Sequence, residues 1–325
     1  MRPRIKKNDV LYIDRHIAIV DHKGVQMSAA NDVQWLLKIG TNKRDETPPI
    51  REFLERCVFQ PKKSLCIQGV TASDISDVSA VNALGYKVKD TQDNPSEPPA
   101  ALRISESFDA GSPFAGHPFG GDEIGRYCVD LSVVKEAASA VRYISRLALL
   151  ALGDARAADC IHLFDAESPE ALLRFDVLVP SSIVGDIDVM NERLSNLGFA
   201  DIRARKPKTE GATLLSCVAV RSNYYHGIDN AFPADDNERK RIAANVLLAA
   251  LADASLPAQY RPDPNSCLPQ LTTQANLITA VIDLARSGKL AGCPLCGLPV
   301  VKPHESSDPY CRKSHRTRTD EKRGE

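Results

Sequence analysis

The sequence predicts an α+β protein with several domains, and three observations support this. A chain of 325 residues with 43% hydrophobic residues is long enough to build two or three cores. Short alternating runs that are typical of strands are interleaved with segments that repeat apolar residues at helical spacing. A proline-rich segment at residues 90–100 has neither pattern, and it is therefore interpreted as a domain boundary.

Residues 1–90 are predicted to form a small α/β domain. The strand at 64–70, the helix at 73–84 and the strand at 86–89 form a β-α-β order, which implies parallel neighbouring strands. The predicted elements, in order, are a β-hairpin in which residues 10–20 pair with 25–27 across a turn at 21–24, a helix capped by Asn31, a helix opened by Thr47, and this β-α-β unit.

Residues 91–125 are predicted to be a linker followed by a glycine-rich loop. The loop also contains His117, Asp122 and Glu123, which are candidate acid and base groups of an enzyme. It matches neither a phosphate-binding loop nor a dinucleotide-binding fingerprint. An ordinary surface loop is the first interpretation, and an enzyme of unknown reaction with its site at these three residues is the alternative.

Residues 126–222 are predicted to form a ferredoxin-like α+β domain, since strands and helices follow one another in the order βαββαβ with one extra strand. Many unrelated functions use this fold, so it predicts none of them. Cys160 and His162 alternate on one predicted strand and share a face. Without a third ligand or an orienting acid, they are interpreted as core or surface residues, and no catalytic residue is assigned.

Residues 223–290 are predicted to be a helical segment that leads into the strongest chemical signal, at residues 291–318. Cys293, Cys296, Cys311 and His315 have the spacing C-x2-C-x14-C-x3-H. A C-x2-C turn directs two sulfurs at one point, and residues four apart on a helix share a face. These four residues are therefore predicted to bind a structural zinc ion. Residues 319–325 are predicted to be a frayed tail.

Three details of the predicted zinc module bear on its function. His304 is a competing fourth ligand, but its proline-rich polar surroundings favour a loop. Catalytic zinc is disfavoured because four protein ligands leave no position for water. The segment is also basic. Its cations could balance the thiolates, contact nucleic acid or dock a protein partner, and they are Arg312, Lys313, Arg316 and Arg318.

The tail resembles the C-terminal zinc-ribbon or treble-clef-like fingers of many bacterial proteins, including the related CGNR fingers. The matching residues, in order, are Cys293, Cys296, Gly297, Val300, Val301, Tyr310, Cys311 and His315. The CGNR tetrapeptide is absent, and His315 stands where the family usually has Cys. The resemblance covers about thirty residues and implies zinc and little more.

Composition restricts the remaining possibilities. The net charge is −1, so no global charge attracts the chain to nucleic acid. No apolar segment follows the basic N-terminus and none is long enough to span a bilayer, so we expect neither a signal peptide nor a membrane partner. Nine scattered cysteines favour a reducing cytoplasm. The leading hypothesis is a non-enzymatic, bacterial-type cytoplasmic zinc protein whose C-terminal finger docks nucleic acid or a protein partner. Residues 1–290 are expected to fold without the finger.

Overall fold

The structure is a computed structural model, and it describes several separate ranges of the chain. The described residues are 7–23, 29–40, 46–56, 64–66, 76–77, 79–80, 103–105, 125–164, 173–199, 201–208, 211–220, 235–255, 259–261, 270–272, 277–302, 309–312 and 314–317. The chain divides into two compact units, residues 1–138 and 139–325. Each unit contains helices and sheets, which confirms the mixed α+β class. The predicted domain boundaries stay predictions.

The first unit contains a five-stranded sheet in the order β1-β2-β5-β4-β3. All its pairs are antiparallel except β4 with β5. Its elements are β1 (Asp9–Ile13), β2 (Ile17–His22), α1 (Ala29–Lys38), α2 (Thr47–Leu54), β3 (Ser64–Cys66), β4 (Arg103–Ser105) and β5 (Gly125–Asp130). Four consecutive residues of β2, Ile17 to Val20, are fully buried, so both faces of this strand are covered.

Two local predictions for this unit need correction. The hairpin turn lies between β1 and β2 because the Asp14 carboxylate accepts hydrogen bonds from the amides of His16 and Ile17, at 2.8 and 2.9 Å. The range 10–20 is therefore two strands. Asn31 lies inside α1, which begins at Ala29, so it does not cap that helix. Thr47 is the first residue of α2, as predicted. The predicted elements at 25–27, 73–84 and 86–89 lie outside the described residues, apart from 76–77 and 79–80.

The second unit is built on a four-stranded antiparallel sheet in the order β6-β7-β9-β8. The elements that follow β5 are α3 (Leu131–Ala151), in which the boundary between the units falls, a 3-10 helix (Ala155–Cys160), β6 (His162–Phe164), β7 (Leu173–Pro180), α4 (Ser181–Val184), α5 (Ile187–Asn196), β8 (Ile202–Arg205), β9 (Ala212–Val220), α6 (Asp236–Ser255), β10 (Gln259–Arg261), β11 (Gln270–Thr272), α7 (Leu277–Arg286), β12 (Leu290–Gly292) and β13 (Pro299–Val301).

The predicted ferredoxin-like arrangement of residues 126–222 is not what the described strands form. β5, which was to be its first strand, pairs with β2 from Ile17↔Asp130 to His22↔Gly125, so it belongs to the other sheet. Periodicity identifies a strand, but the choice of its partner depends on residues far away in the chain. The βαββαβ order therefore assigned one strand to the wrong sheet, while most of the other elements lie close to their predicted positions.

Helices connect the sheet of the second unit to the end of the chain. α6 packs against β6, β7 and the 3-10 helix, α7 packs against α6, and β12 packs against α7. The inward residues of α7 are buried, among them Ile278, Val281 and Leu284. The helices α6 and α7 thus form a layer that contacts the four-stranded sheet through α6 and the C-terminal hairpin through α7. Within the described residues, no helix has both the length and the apolar character that crossing a membrane requires.

Candidate metal centre

A β-hairpin presents the first cysteine pair. β12 and β13 pair antiparallel from Leu290↔Val301 to Gly292↔Pro299, and the turn between them carries Cys293 and Cys296. The Cys293 amide donates to the Leu298 carbonyl at 2.8 Å, and the Gly297 amide donates to the Cys293 carbonyl at 2.8 Å. Gly297 has φ +70°, a left-handed backbone conformation that glycine adopts without a steric penalty. These bonds fix both sulfurs at the end of the hairpin.

The second pair comes from the last described segment. Residues 314–317 are helical, and the His315 amide donates to the Arg312 carbonyl at 3.1 Å. This turn brings Cys311 and His315 to the same side. His315 is only 4% exposed and Cys293 is fully buried, whereas Cys296 is exposed. The cluster therefore lies with one side against the protein and one side towards solvent.

The four ligand atoms match the size of a tetrahedral metal site. They all lie within 4.8 Å of one another. Cys296 Sγ is 3.5 Å from Cys311 Sγ, and His315 Nδ1 is 3.6 Å from Cys293 Sγ and 3.2 Å from Cys311 Sγ. Tetrahedral zinc separates two sulfurs by about 3.8 Å and a sulfur from a nitrogen by about 3.5 Å. Cys293, Cys296, Cys311 and His315 thus form a zinc-finger-like cluster that could hold a metal ion.

The electrostatics of the thiols also suit a cation. Burial raises the pKa of Cys293, but backbone amides and His315 donate hydrogen bonds to its sulfur and bring that pKa down to about 6. The pKa of Cys311 rises to about 12 through burial and through its contact with Cys296 and Cys293. Ionising all three adjacent thiols requires a compensating positive charge, and a divalent metal ion supplies it.

The imidazole of His315 is oriented by Arg312, whose Nε donates to His315 Nε2 at 2.7 Å. Nδ1 is left facing the sulfurs. A neutral imidazole with a metal on Nδ1 carries its proton on Nε2, which then becomes a donor. The Arg312 guanidinium would then have to turn away from the ring. Metal binding would therefore be coupled to the position of this exposed arginine.

A clamp made by Asp154 and Arg156 holds the first cysteine pair against the rest of the unit. Arg156 Nη1 donates to the Cys293 carbonyl at 2.9 Å. Its Nε and Nη2 donate to the two carboxylate oxygens of Asp154 at 2.8 and 2.7 Å. These paired hydrogen bonds lower the pKa of Asp154 and raise the pKa of Arg156. The charges of Cys293 and Cys296 raise the pKa of Arg156 further.

Gly292 lets the clamp approach the hairpin. A Cβ at this position would lie 2.5 Å from Asp154 Oδ2 and 2.7 Å from Arg156 Nη2. Both atoms are at the ends of flexible side chains, which would have to shift to admit a larger residue. Sequence reasoning did not identify Asp154, Arg156 or Gly292, since Arg156 is 137 positions from Cys293. An Asp that caps a short helical turn next to an Arg is too common to indicate such a contact.

The other residues singled out from the sequence have different outcomes. Arg312 and Arg316 are exposed, as a basic contact surface requires. Cys160 ends the 3-10 helix while His162 begins β6, so the two do not alternate on one strand as expected. The predicted site residues that lie outside the described part of the chain are Lys313, Arg318, His304, His117, Asp122 and Glu123.

Comparison with known proteins assigns this chain to no family. No family model matches the chain, and neither the curated proteins nor the solved structures include a significant match.

Proposed function

We propose that this chain is a non-enzymatic, zinc-binding cytoplasmic protein whose C-terminal finger docks nucleic acid. One observation carries the zinc assignment: three sulfurs and one imidazole nitrogen lie within 4.8 Å of one another on a hairpin and a helical turn. Thiolates and imidazole are the donors that zinc prefers, whereas calcium and magnesium prefer oxygen. Cys293, Cys296 and Cys311 are free thiols, the form in which sulfur binds zinc.

The zinc in this proposal is structural. Its four ligands complete the tetrahedron, so no position remains for a water that would attack a substrate. Zinc would instead join the hairpin to the helical turn and fix the direction of the basic residues beside His315. The enzyme alternative, with its site at His117, Asp122 and Glu123, stays a prediction about residues outside the described part of the chain.

The docking role is supported by the exposure of Arg312 and Arg316 on the outer side of the cluster. Their sequence neighbours Lys313 and Arg318 add two further cations. Cations that converge on one short segment neutralise phosphates without reading sequence, so we expect a weak, salt-dependent contact. Zinc on Nδ1 of His315 would release Arg312 from the ring, which makes the contact stronger in the metal-loaded protein.

Elemental analysis of the purified chain tests the zinc assignment. We expect one zinc per chain, and Cys311→Ser should reduce this to less than half. The matched control is Cys160→Ser, which removes a cysteine outside the cluster and should leave the zinc content unchanged. Equal zinc in both variants, or another metal in the wild-type chain, would contradict the assignment.

The docking role is tested with the zinc-loaded triple variant Arg312→Ala, Lys313→Ala, Arg316→Ala. Its affinity for a labelled oligonucleotide should fall, and the dependence on salt should flatten by roughly 0.7 to 0.9 per lost phosphate contact. The control removes three cations elsewhere, through Arg146→Ala, Arg239→Ala and Lys240→Ala. If the finger variant binds as the control does, docking of a protein partner becomes the better account.

A further inference from the structure

Within the described residues, helices pack against the four-stranded sheet of the second unit on the face to which its buried side chains point. α5 packs against β8, and α6 packs against β6 and β7. Along β8, Ile202 and Ala204 are buried whereas Arg203 and Arg205 are exposed. The exposed residues of the sheet form what we call the outward face, represented by His162, Phe164, Leu178, Leu214, Arg203 and Arg205.

One edge of the outward face is aromatic. His162 and Phe164 lie two positions apart on β6, and their rings meet edge to face with centroids 4.8 Å apart. Phe164 is 41% exposed in a position where burial would normally be favourable. An exposed aromatic ring beside an imidazole offers a flat surface on which a planar base can stack.

The opposite edge is cationic. Arg203 and Arg205 project from β8 on the same face, and in the described part of the chain neither has an ion-pair partner. Lys206 and Lys208 follow and are also exposed, but they line a pocket together with Asp186 and Asp188. Two positive charges, Arg203 and Arg205, thus lie on this edge of the outward face, and Asp176 of β7 supplies one opposing charge in the row of Arg203. This edge carries the charge that a polyanion requires.

Two leucines lie between the two edges in one row and form what we call the leucine strip, while the next row has Asp176 opposite Ser216. Leu178 of β7 is opposite Leu214 of β9, which is opposite Arg205 of β8. Leu178 is 48% exposed. Three strand spacings separate β6 from β8, so the aromatic and cationic edges are about 14 Å apart. A ligand that contacts both edges must be several units long and must combine planar groups, which pack on apolar surface, with negative charge.

We propose that the outward face binds single-stranded nucleic acid, with bases on Phe164, His162 and the leucine strip and phosphates on Arg203 and Arg205. Four-stranded sheets with exposed aromatic side chains can hold unpaired bases in this way. A duplex hides the faces of its bases, so it could use only the cationic edge. This surface is distinct from the finger, and the proposal does not depend on zinc.

Fluorescence polarisation with the full zinc-loaded chain tests this proposal. The probes are labelled 12-mers of deoxythymidine and of uridine, together with a 12-base-pair duplex, over a range of salt. We expect both single strands to bind at least fivefold more tightly than the duplex. Phe164→Ala should weaken single-strand binding about fivefold or more, because one stacked base is lost, whereas Phe164→Tyr should preserve it.

The cationic edge is tested with Arg203→Gln, Arg205→Gln. This variant should reduce the slope of log affinity against log salt by about 1.4, since two phosphate contacts are removed. The control Arg239→Gln, Lys240→Gln removes the same charge from α6, the helix against the other face, and should leave affinity and slope unchanged. Thermal unfolding of each variant should stay close to the wild-type transition, because the substituted side chains are at least partly exposed.

Three outcomes would overturn the proposal. The first is equal loss of affinity in the sheet variant and its charge-matched control. The second is loss of all binding in Arg312→Ala, Arg316→Ala with none in the sheet variants, which would assign the whole activity to the finger. The third is competition by poly-glutamate as effectively as by an unlabelled oligonucleotide of equal charge, since bases would then contribute nothing.

Discussion

The metal cluster and the outward face of the sheet differ in how the chain builds them. The cluster takes its ligands from two short segments, and its spacing is visible in the sequence. The outward face takes its residues from four strands between His162 and Ser216, and no local motif indicates it. The cluster contains three thiols that can become negatively charged in a partly buried position, whereas the outward face has positively charged arginines that are exposed to solvent. We therefore expect substitutions in the cluster to affect stability and substitutions in the face to affect binding alone.

The largest expected effect is at Cys293, the fully buried member of the cluster. Cys293→Ser should cost roughly 3 kcal/mol of zinc-binding free energy, about a quarter of what a structural site with four ligands supplies. Isothermal titration with a competing chelator measures this, and unfolding of the second unit should shift to lower temperature. Cys296→Ser, at the exposed position, should disturb the fold less. Equal unfolding temperatures for both variants would show that burial does not distinguish the two ligands.

The next effect tests the clamp through Gly292. Gly292→Ala places a Cβ against Asp154 and Arg156, whose flexible side chains must move, and we expect a loss of about 1 kcal/mol in unfolding free energy together with weaker zinc binding. The comparison is Gly288→Ala, where φ is +66° and no atom lies within 4 Å of the new Cβ. That change should cost about 1 kcal/mol from backbone strain and leave zinc affinity unchanged.

A similar effect is expected when Arg156 itself is removed from the clamp. Arg156→Ala removes the donor to the Cys293 carbonyl and the partner of Asp154, but the arginine is about half exposed, so we expect only about 1 kcal/mol. Zinc affinity should fall several-fold. Arg156→Lys should restore little, because an ammonium cannot reproduce the paired hydrogen bonds. Arg146→Ala breaks the similar ion pair with Asp159, and an equal loss of zinc affinity there would contradict the clamp.

The smallest effect is expected on the outward face. Leu178→Ser changes a half-exposed side chain, so chemical denaturation should show a change of about 0.5 kcal/mol or less. Phe175, its buried neighbour on β7, provides the contrast, since Phe175→Ala should cost about 3 to 5 kcal/mol. A large loss for Leu178→Ser would mean that the outward face is part of a core, and it would remove the basis for a binding surface.

The sequence by itself determined the mixed α+β class, most helices and strands of the second unit, and the four candidate ligands. These features depend on neighbouring residues: helical periodicity marks α6 and α7, and the C-x2-C turn with Gly297 at positive φ builds the hairpin end. Local spacing is enough because each motif closes on itself within a few residues.

Only the tertiary structure decided which strands share a sheet and what surrounds the cluster. β5 pairs with β2 rather than with β6 to β9, and Arg156 reaches Cys293 across 137 positions. The same holds for the outward face, because β8 becomes an edge strand only once β9 lies between it and β7. Such contacts join distant parts of the chain, and their free energies depend on the shape and burial of the folded unit. A pattern of neighbouring residues carries no record of them.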